Sequence, residues 1–321
     1  MLKILSLTAP FFSLIFLGLA AGRFLKLPVD GLAWLNVFVV YLAIPALLFK
    51  LLSQTPIDQL ANWGFIFSTT FASYVAFAIA FAIGIFVSGG DIKVSTIQGL
   101  GGAYGNVGFM APGLALAALG PESVVPTALI FCFDNTLFFT IAPLMMALAS
   151  DDGQSIGKTL ILILKRIFTH PFILATIAGV LAAAIELDLP DAGDRLIDLL
   201  AAAGAPCALF ALGVSLALRP IKRVPYELPG LMLVKLIIQP ILVVLILLWV
   251  GGIPPVWIAT AMLVASLPPA TNVFVIAQQY QTYVDRASAV VLLGTITSVV
   301  TVSFVLYLIE TDLLGLGVSL Q

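Results

Sequence analysis

Two asparagines lie in apolar segments that also contain residues unfavourable to helices. With their neighbours they form a candidate site of nine residues: Gly105, Asn106, Val107, Gly108, Pro112, Pro268, Pro269, Thr271 and Asn272. Glycine and proline weaken a helix, and proline also removes a backbone donor. Where a helix restarts after such a break, unpaired N–H groups and the positive end of the helix dipole attract negative charge. Because the asparagine amides add further donors, these residues predict anion binding.

Three charged residues are candidates for ion coupling or for compensating the charge of a substrate. Asp134 lies about ten residues, or roughly 15 Å, inside an apolar stretch and cannot reach water. It is either a functional proton carrier, cation ligand or ion-pair partner, or a structural residue that is protonated or paired. Lys235 either snorkels to the interface, or attracts an anion or pairs with Asp134. Lys50 is an interface anchor or a guide for anions.

No set of residues supports catalysis or a resident metal. The sequence has no HExxH zinc motif and no P-loop, and it has one histidine and two cysteines. His170, which precedes Pro171, is interpreted as the residue at which a helix begins. Asp134 lacks a second carboxylate at the same depth. We therefore expect no enzyme, no catalytic residue and no cofactor, with H⁺ and Na⁺ as the candidate coupling ions.

The composition identifies the lipid bilayer as the main environment of the chain. Of 321 residues, 61% are hydrophobic and 9% are charged. A soluble domain has about a quarter of its residues charged, because its surface must be solvated. Fourteen basic residues against 16 acidic ones leave no basic excess for binding nucleic acid. The chain is therefore predicted to be an all-α polytopic membrane protein.

Ten runs of the sequence reach the roughly 20 apolar residues that a membrane span requires. These runs lie near residues 5–25, 32–52, 64–88, 95–118, 124–148, 171–187, 196–218, 228–251, 256–280 and 286–309. Residues 156–170 predict a basic amphipathic helix on the membrane surface. Gly18 and Gly22, at GxxxG spacing, predict close helix packing.

The basic residues predict how the chain is oriented in the membrane. One side of the ten-span arrangement holds Arg23, Lys26, Lys93, Lys158, Lys165, Arg166, Arg219, Lys222, Arg223 and Arg286. The other side holds Lys3, Lys50 and Arg195. Cytoplasmic loops carry the excess of lysine and arginine. The first side is therefore predicted to be cytoplasmic, and both termini lie outside.

The second half of the chain repeats the pattern of the first. Three prolines recur at offsets of 161, 162 and 161 residues, pairing Pro10 with Pro171, Pro28 with Pro190 and Pro45 with Pro206. Asn106-Val107 recurs as Asn272-Val273. The repeats 1–150 and 151–321 each hold five spans, and an odd number places them in opposite orientations. Such an inverted repeat is typical of secondary transporters, which bind their substrate at paired broken helices. Spans 4 and 9 are therefore predicted to be broken and to cross.

Two segments, Asn106–Pro112 and Leu267–Tyr280, resemble the signature segments of the auxin efflux carrier family. The resemblance covers the whole chain, and the bacterial branch of this family includes proteins described as malonate transporters. It implies elevator-type transport of a small organic anion, a homodimer formed through spans 1, 2, 6 and 7, and a bacterial inner-membrane location. The plant members carry a long loop between the two halves. The short connection here favours a malonate-like carboxylate over an auxin-like weak acid.

Other functions stay open on the sequence alone. A related fold with the same crossing helices carries bile acids with sodium, so a sodium-coupled organic anion symporter is one alternative. An anion channel is another, because glycine-rich breaks are compatible with a pore. An intramembrane enzyme is the third. The paired breaks favour alternating access over the last two.

Overall fold

A computed structural model describes residues 2–25, 31–55, 62–149, 161, 164–165, 168–218 and 224–321. Within these ranges the regular structure is helical, without strands. The principal helices are α1 (Leu2–Leu25), α2 (Gly31–Ser53), α3 (Trp63–Ser88), α4 (Ile92–Ala103), α5 (Ala111–Leu119), α6 (Val124–Leu148), α7 (Pro171–Ala184), α8 (Asp191–Ala217), α9 (Leu228–Val250), α10 (Pro255–Ala265), α11 (Thr271–Gln279) and α12 (Val284–Glu310). A 3₁₀ turn, Pro121–Ser123, precedes α6. One π-helical turn lies in α2 at Val39–Ala43 and another in α9 at Val234–Ile238.

Seven of the described helices are long and apolar enough to cross a membrane. They are α1, α2, α3, α6, α8, α9 and α12. Large apolar side chains point away from the core along these helices, including Phe24, Phe67 and Trp249. Lipid is the solvent in which such a surface is stable. The all-helical, multi-pass fold class is therefore confirmed, and the count of ten spans stays a prediction.

The predicted sixth span is shorter than expected. It was expected over 171–187, but α7 has 14 residues. At 1.5 Å per residue this is about 21 Å, less than the roughly 30 Å of the hydrocarbon core. The helix ends because Glu186 takes a left-handed backbone conformation, with φ of 49°.

Several predicted features lie wholly or mostly outside the described residues. The amphipathic segment 156–170 is one, because only residues 161, 164–165 and 168–170 of it are described. The others are Lys26, Pro28, Lys158, Arg166, Arg219, Lys222 and Arg223. Their contributions to the repeat and to the orientation stay predictions.

The described helices pack in two groups. In the first group α1 lies along α8, and α2 packs against α7 and α8. In the second group α3 packs against α4, α6 and α9, while α12 packs against α10 and α11. The groups meet where α6 contacts α2 and α7, and where α1 contacts α5 and α12. The fold thus provides two packed bodies with a boundary between them.

Glycines allow α1 and α8 to approach until their backbones touch. A Cβ added at Gly18 would lie 2.2 Å from the carbonyl oxygen of Phe210. A Cβ added at Gly213 would lie 1.9 Å from the carbonyl oxygen of Ile15. Small residues serve this purpose at helix interfaces in membranes, where close van der Waals contact drives association. The packing role predicted for Gly18 and Gly22 is confirmed, because Gly22 also faces α8.

Candidate functional site

The chain between α4 and α5 pairs with the chain between α10 and α11. Neither connection, over 104–110 and 266–270, is helical, and Gly105 lies opposite Pro269 in antiparallel orientation. Two backbone hydrogen bonds of 2.8 Å flank this pair, from the Asn106 N–H to the Pro268 carbonyl and from the Ala270 N–H to the Tyr104 carbonyl. Backbone that leaves a helix away from water needs partners. Here each connection supplies them to the other, and we call this pairing the crossing.

Extended backbone and proline determine where the helices next to the crossing end and begin. Tyr104 follows α4 with φ −79° and ψ 98°, and Ala270 precedes α11 with φ −65° and ψ 146°. Pro112 lies in the first turn of α5, where its missing N–H is not needed. The first turn of α11 therefore begins at the crossing. Its unpaired N–H groups and the positive end of its dipole lie there.

A cavity of about 370 Å³ lies beside the crossing. We call it the crossing cavity. Its volume is in the range of small-molecule sites, about 300–1,000 Å³. Five of the nine candidate site residues line it: Gly105, Asn106, Gly108, Thr271 and Asn272. The rest of the lining comes from α2, α6, α11, the two connections, and the residues just before and at the start of α7. The structure thus brings the two asparagines, 166 positions apart in the sequence, to one cavity.

The two asparagines differ in their hydrogen bonding. Asn106 is 3% exposed, and its Nδ2 has no acceptor among the described residues. Asn272 donates through its Nδ2 to the Tyr104 hydroxyl at 3.0 Å. The Tyr104 ring in turn stacks on Phe138, with centroids 4.5 Å apart. An unsatisfied buried donor costs about 1–3 kcal/mol. Asn106 therefore gains the most from an acceptor atom on a ligand.

Aromatic rings and one imidazole form much of the remaining wall of the crossing cavity. The aromatic lining residues are Tyr41, Tyr104, Phe109, Phe131, Phe139 and Phe172. His170 precedes α7, and its Nδ1 accepts a hydrogen bond from the Phe172 N–H at 3.3 Å. Burial lowers the pKa of His170, so its ring is neutral at neutral pH. No lysine or arginine of the described chain lines this cavity.

A second, small cavity lies on the other side of Gly105. Its volume is about 10 Å³, close to the minimum that one water molecule needs. Asp134 and Lys235 both line it, together with Ser73, Gln239 and Gly105. We call it the ion cavity, because both membrane-buried charges of the sequence analysis meet here.

Hydrogen bonds connect the two charges through two neutral side chains. The Lys235 Nζ donates to the Gln239 Oε1 at 2.8 Å, and the Gln239 Nε2 donates to the Ser73 Oγ at 3.2 Å. The Ser73 Oγ donates to the Asp134 carboxylate, lying 3.1 Å from each oxygen. Asp134 is 5% exposed. A buried charge requires such partners, because its desolvation is costly.

Lys235 also caps the C-terminal end of α10. It is fully buried, and its Nζ donates to the Ala265 carbonyl at 2.6 Å. The last carbonyls of a helix have no partner within the helix and carry the negative end of its dipole. The snorkelling alternative for Lys235 is wrong, because this bond and the one to Gln239 hold the ammonium inside the protein.

Comparison with known sequences gives the family. A model described as "Membrane transport protein" matches residues 4–306. This chain belongs to that family. A protein of Rhizobium meliloti (strain 1021) named "Putative malonate transporter" is 51% identical over 314 residues, which cover 98% of each chain. The resemblance to the auxin efflux carriers is thereby confirmed, and the chain is a multi-pass membrane transporter and not an enzyme.

The structure of this transporter places the other predicted site residues away from the crossing cavity. Val107 lines the ion cavity, while Pro268 and Pro269 take part in the crossing through backbone pairing. Pro112 lies in α5 and lines neither cavity. Lys50 forms an ion pair with Asp198 of α8 and lines neither cavity. Its role in charge compensation stays a prediction.

A buried carboxylate that the sequence analysis did not single out anchors α4. Glu227, just before α9, accepts hydrogen bonds at its Oε1 from the Gln98 Nε2 at 2.6 Å and the Tyr283 hydroxyl at 2.5 Å. Arg286 lies 3.5 Å from the same oxygen. Burial raises the pKa of Tyr283, so it remains a donor. These bonds tie α4, which leads into the crossing, to the first turns of α9 and α12.

Proposed function

We propose that this transporter binds a small organic anion, a malonate-like carboxylate, in the crossing cavity. The observation that carries the proposal is the buried Nδ2 of Asn106, which has no acceptor among the described residues and lines a cavity at the N-terminus of α11. A carboxylate oxygen supplies the missing acceptor and is favoured by the helix dipole. The high identity to a protein named as a malonate transporter supports malonate as the first substrate to examine.

We further propose that α4 with α5, and α10 with α11, are two interrupted membrane spans within a ten-span inverted repeat. The antiparallel pairing of Gly105 with Pro269 supports this, because it joins the corresponding breaks of the two sequence halves. The repeated prolines give independent support. In transporters of this type the substrate binds at the repeat interface near the midplane. Both termini then lie on the periplasmic side of a bacterial inner membrane.

Elevator-type alternating access is the mechanism that the packing favours. The first helix group, α1, α2, α7 and α8, corresponds to the part through which a homodimer is expected. The second group contains the crossing and both buried charges. The crossing cavity lies at the boundary, because Tyr41 and His170 come from the first group and Asn106 from the second. Movement of the second group against the first would carry the anion across the membrane.

The ion cavity is proposed to couple transport to H⁺ or Na⁺. An anion that enters a negative-inside cell works against about 2.3 kcal/mol per charge at 100 mV, so uptake requires a cotransported cation. Asp134 is the carboxylate that such a cation would meet, and the cavity around it has room for about one water-sized particle. Lys235 would keep the site neutral when the cation leaves.

The aromatic lining favours a second candidate substrate class. Six rings around one cavity are more than a malonate ion needs, and they suit an organic anion with an apolar body. Auxin-like weak acids and the larger anions of sodium-coupled symporters belong to this class. Inhibition of malonate uptake by such anions would measure their affinity for the same cavity.

Uptake into proteoliposomes tests the proposal. Labelled malonate is offered under an imposed pH or sodium gradient to the wild type, Asn106→Ala and Asn272→Ala, with Asn36→Ala, an exposed position on α2, as the matched control. We expect saturable uptake driven by one gradient, lost in both crossing variants and retained in the control. Counterflow, in which internal malonate accelerates uptake, separates a carrier from a channel. Equal uptake in all four proteins would refute the site.

A further inference from the structure

His170 is held in one orientation at the wall of the crossing cavity. Its Nδ1 accepts the hydrogen bond that caps α7. Its ring centroid lies 5.5 Å from that of Phe139, and an edge-to-face contact of 5.0 Å joins it to Phe172. A ring fixed on three sides binds a ligand at a small entropic cost.

The capping bond determines which nitrogen of His170 carries the proton. An imidazole nitrogen that accepts a hydrogen bond is unprotonated, and a neutral ring has its single proton on the other nitrogen. The ring is neutral because burial disfavours its charged form. The proton is therefore on Nε2. No acceptor for this N–H is found among the described residues.

The other donors in the wall outside the crossing are less suited to hold an anion. The Thr169 hydroxyl already donates to the Lys165 carbonyl at 2.7 Å. Tyr41 and Gln279 line the cavity but are exposed, whereas His170 is partly buried. With no cationic side chain in the described lining, a dianion must be held by neutral donors. Asn106 on the second helix group and His170 on the first are donors to which the described residues supply no acceptor, and they line the cavity from the two sides of the boundary.

We propose that the Nε2–H of His170 binds the second carboxylate of a dicarboxylate whose first carboxylate is held at Asn106. This inference rests on the proposed function and specifies it further. The cavity then selects dicarboxylates over monocarboxylates of the same size. Since His170 belongs to the first helix group and Asn106 to the second, the substrate bridges the boundary between them.

The test compares malonate with monomethyl malonate, in which one carboxylate is an uncharged ester. The affinity of each compound is measured by calorimetric titration of the purified wild type, His170→Ser and Asn106→Ala, so that the comparison does not depend on uptake. Serine caps a helix well, so His170→Ser retains the start of α7 while it removes the Nε2–H. We expect His170→Ser to weaken malonate by at least about tenfold, the scale of one hydrogen bond to a charged group, and to leave the ester unchanged. Asn106→Ala weakens both compounds.

A spectroscopic measurement reads the same contact directly. His170 is the one histidine in the chain, so isotope labelling of histidine gives a single set of NMR signals. We expect the Nε2–H form in the wild type, with an Nε2 shift on addition of malonate and a much smaller one with the ester. An Nδ1–H form, or equal weakening of both compounds in His170→Ser, overturns this inference alone. Failure of the wild type to transport malonate overturns the proposed substrate as well.

Discussion

The removal of Lys235 is expected to destabilise the protein more than any other single loss of charge in the membrane interior. Lys235→Met keeps the length of the side chain and avoids a large void, because methionine fills irregular space. It removes two charge-assisted hydrogen bonds, to Gln239 at 2.8 Å and to the Ala265 carbonyl at 2.6 Å. At about 1.5–3 kcal/mol each, these contribute about 3–6 kcal/mol.

Changing Asp134 together with Lys235 should have a non-additive effect on the free energy of unfolding. Asp134→Asn keeps an oxygen that accepts from Ser73, so we expect a smaller cost of about 1–3 kcal/mol. In the double variant both charges are absent, so no buried charge is left without its partner. Its cost should therefore fall short of the sum of the single costs by about 1–3 kcal/mol, the range for residues in one hydrogen-bonded network.

Reversible unfolding in mixed detergent micelles measures these free energies. Lys93→Met, on the first turn of α4, serves as the control, and we expect its effect within about 0.5 kcal/mol of the wild type. Additive effects of Lys235→Met and Asp134→Asn would show that the chain through Gln239 and Ser73 does not connect the two charges. A cost for Lys235→Met no larger than that of the control would refute the capping of α10.

Three further predictions concern packing, protonation and the anchor of α4. Gly213→Ala places a methyl group 1.9 Å from the Ile15 carbonyl oxygen, so we expect the free energy of unfolding to fall by at least about 3 kcal/mol in the same assay. The control is Gly193→Ala, also in α8 but facing open space, which should be neutral or stabilising. Because burial lowers the pKa of His170 in the folded state, stability is full above about pH 6.5 and decreases as the pH falls further, since the unfolded chain takes up the proton first. His170→Asn should abolish this part of the pH dependence below about pH 6.5. Glu227→Ala leaves buried donors without an acceptor, and its melting temperature should fall well below that of the wild type, by the equivalent of about 3–5 kcal/mol.

The sequence allowed the residues of the crossing to be named because their signal is local. Glycines and prolines around Asn106 and Asn272 contradict the helical pattern of the flanking residues, and that contradiction is visible without a structure. Not all of these residues line the crossing cavity. Pro268 and Pro269 serve the backbone pairing instead, a role that depends on which segment lies opposite.

The polar partners of the buried charges could not be predicted in the same way. Ser73 and Gln239 stand 166 positions apart, and nothing in either segment indicates that they share a hydrogen bond. That the Gln239 side chain bonds Ser73 depends on how α3 and α9 pack. His170 was recognised as the start of a helix. Its place in the cavity wall follows from the contact of α7 with α6, which periodicity does not encode.

Gly105 explains how the crossing cavity and the ion cavity can act on each other. It lines both, and a Cβ added there would lie 3.1 Å from the Lys235 Nζ. Without a side chain at this position, the Lys235 ammonium lies directly behind the backbone that lines the crossing cavity. A positive charge behind this backbone, in an environment of low dielectric, would favour an anion in the crossing cavity. If the proposed cation or proton changes the charge at Asp134, it would therefore change the potential in the crossing cavity without direct contact between the two ligands.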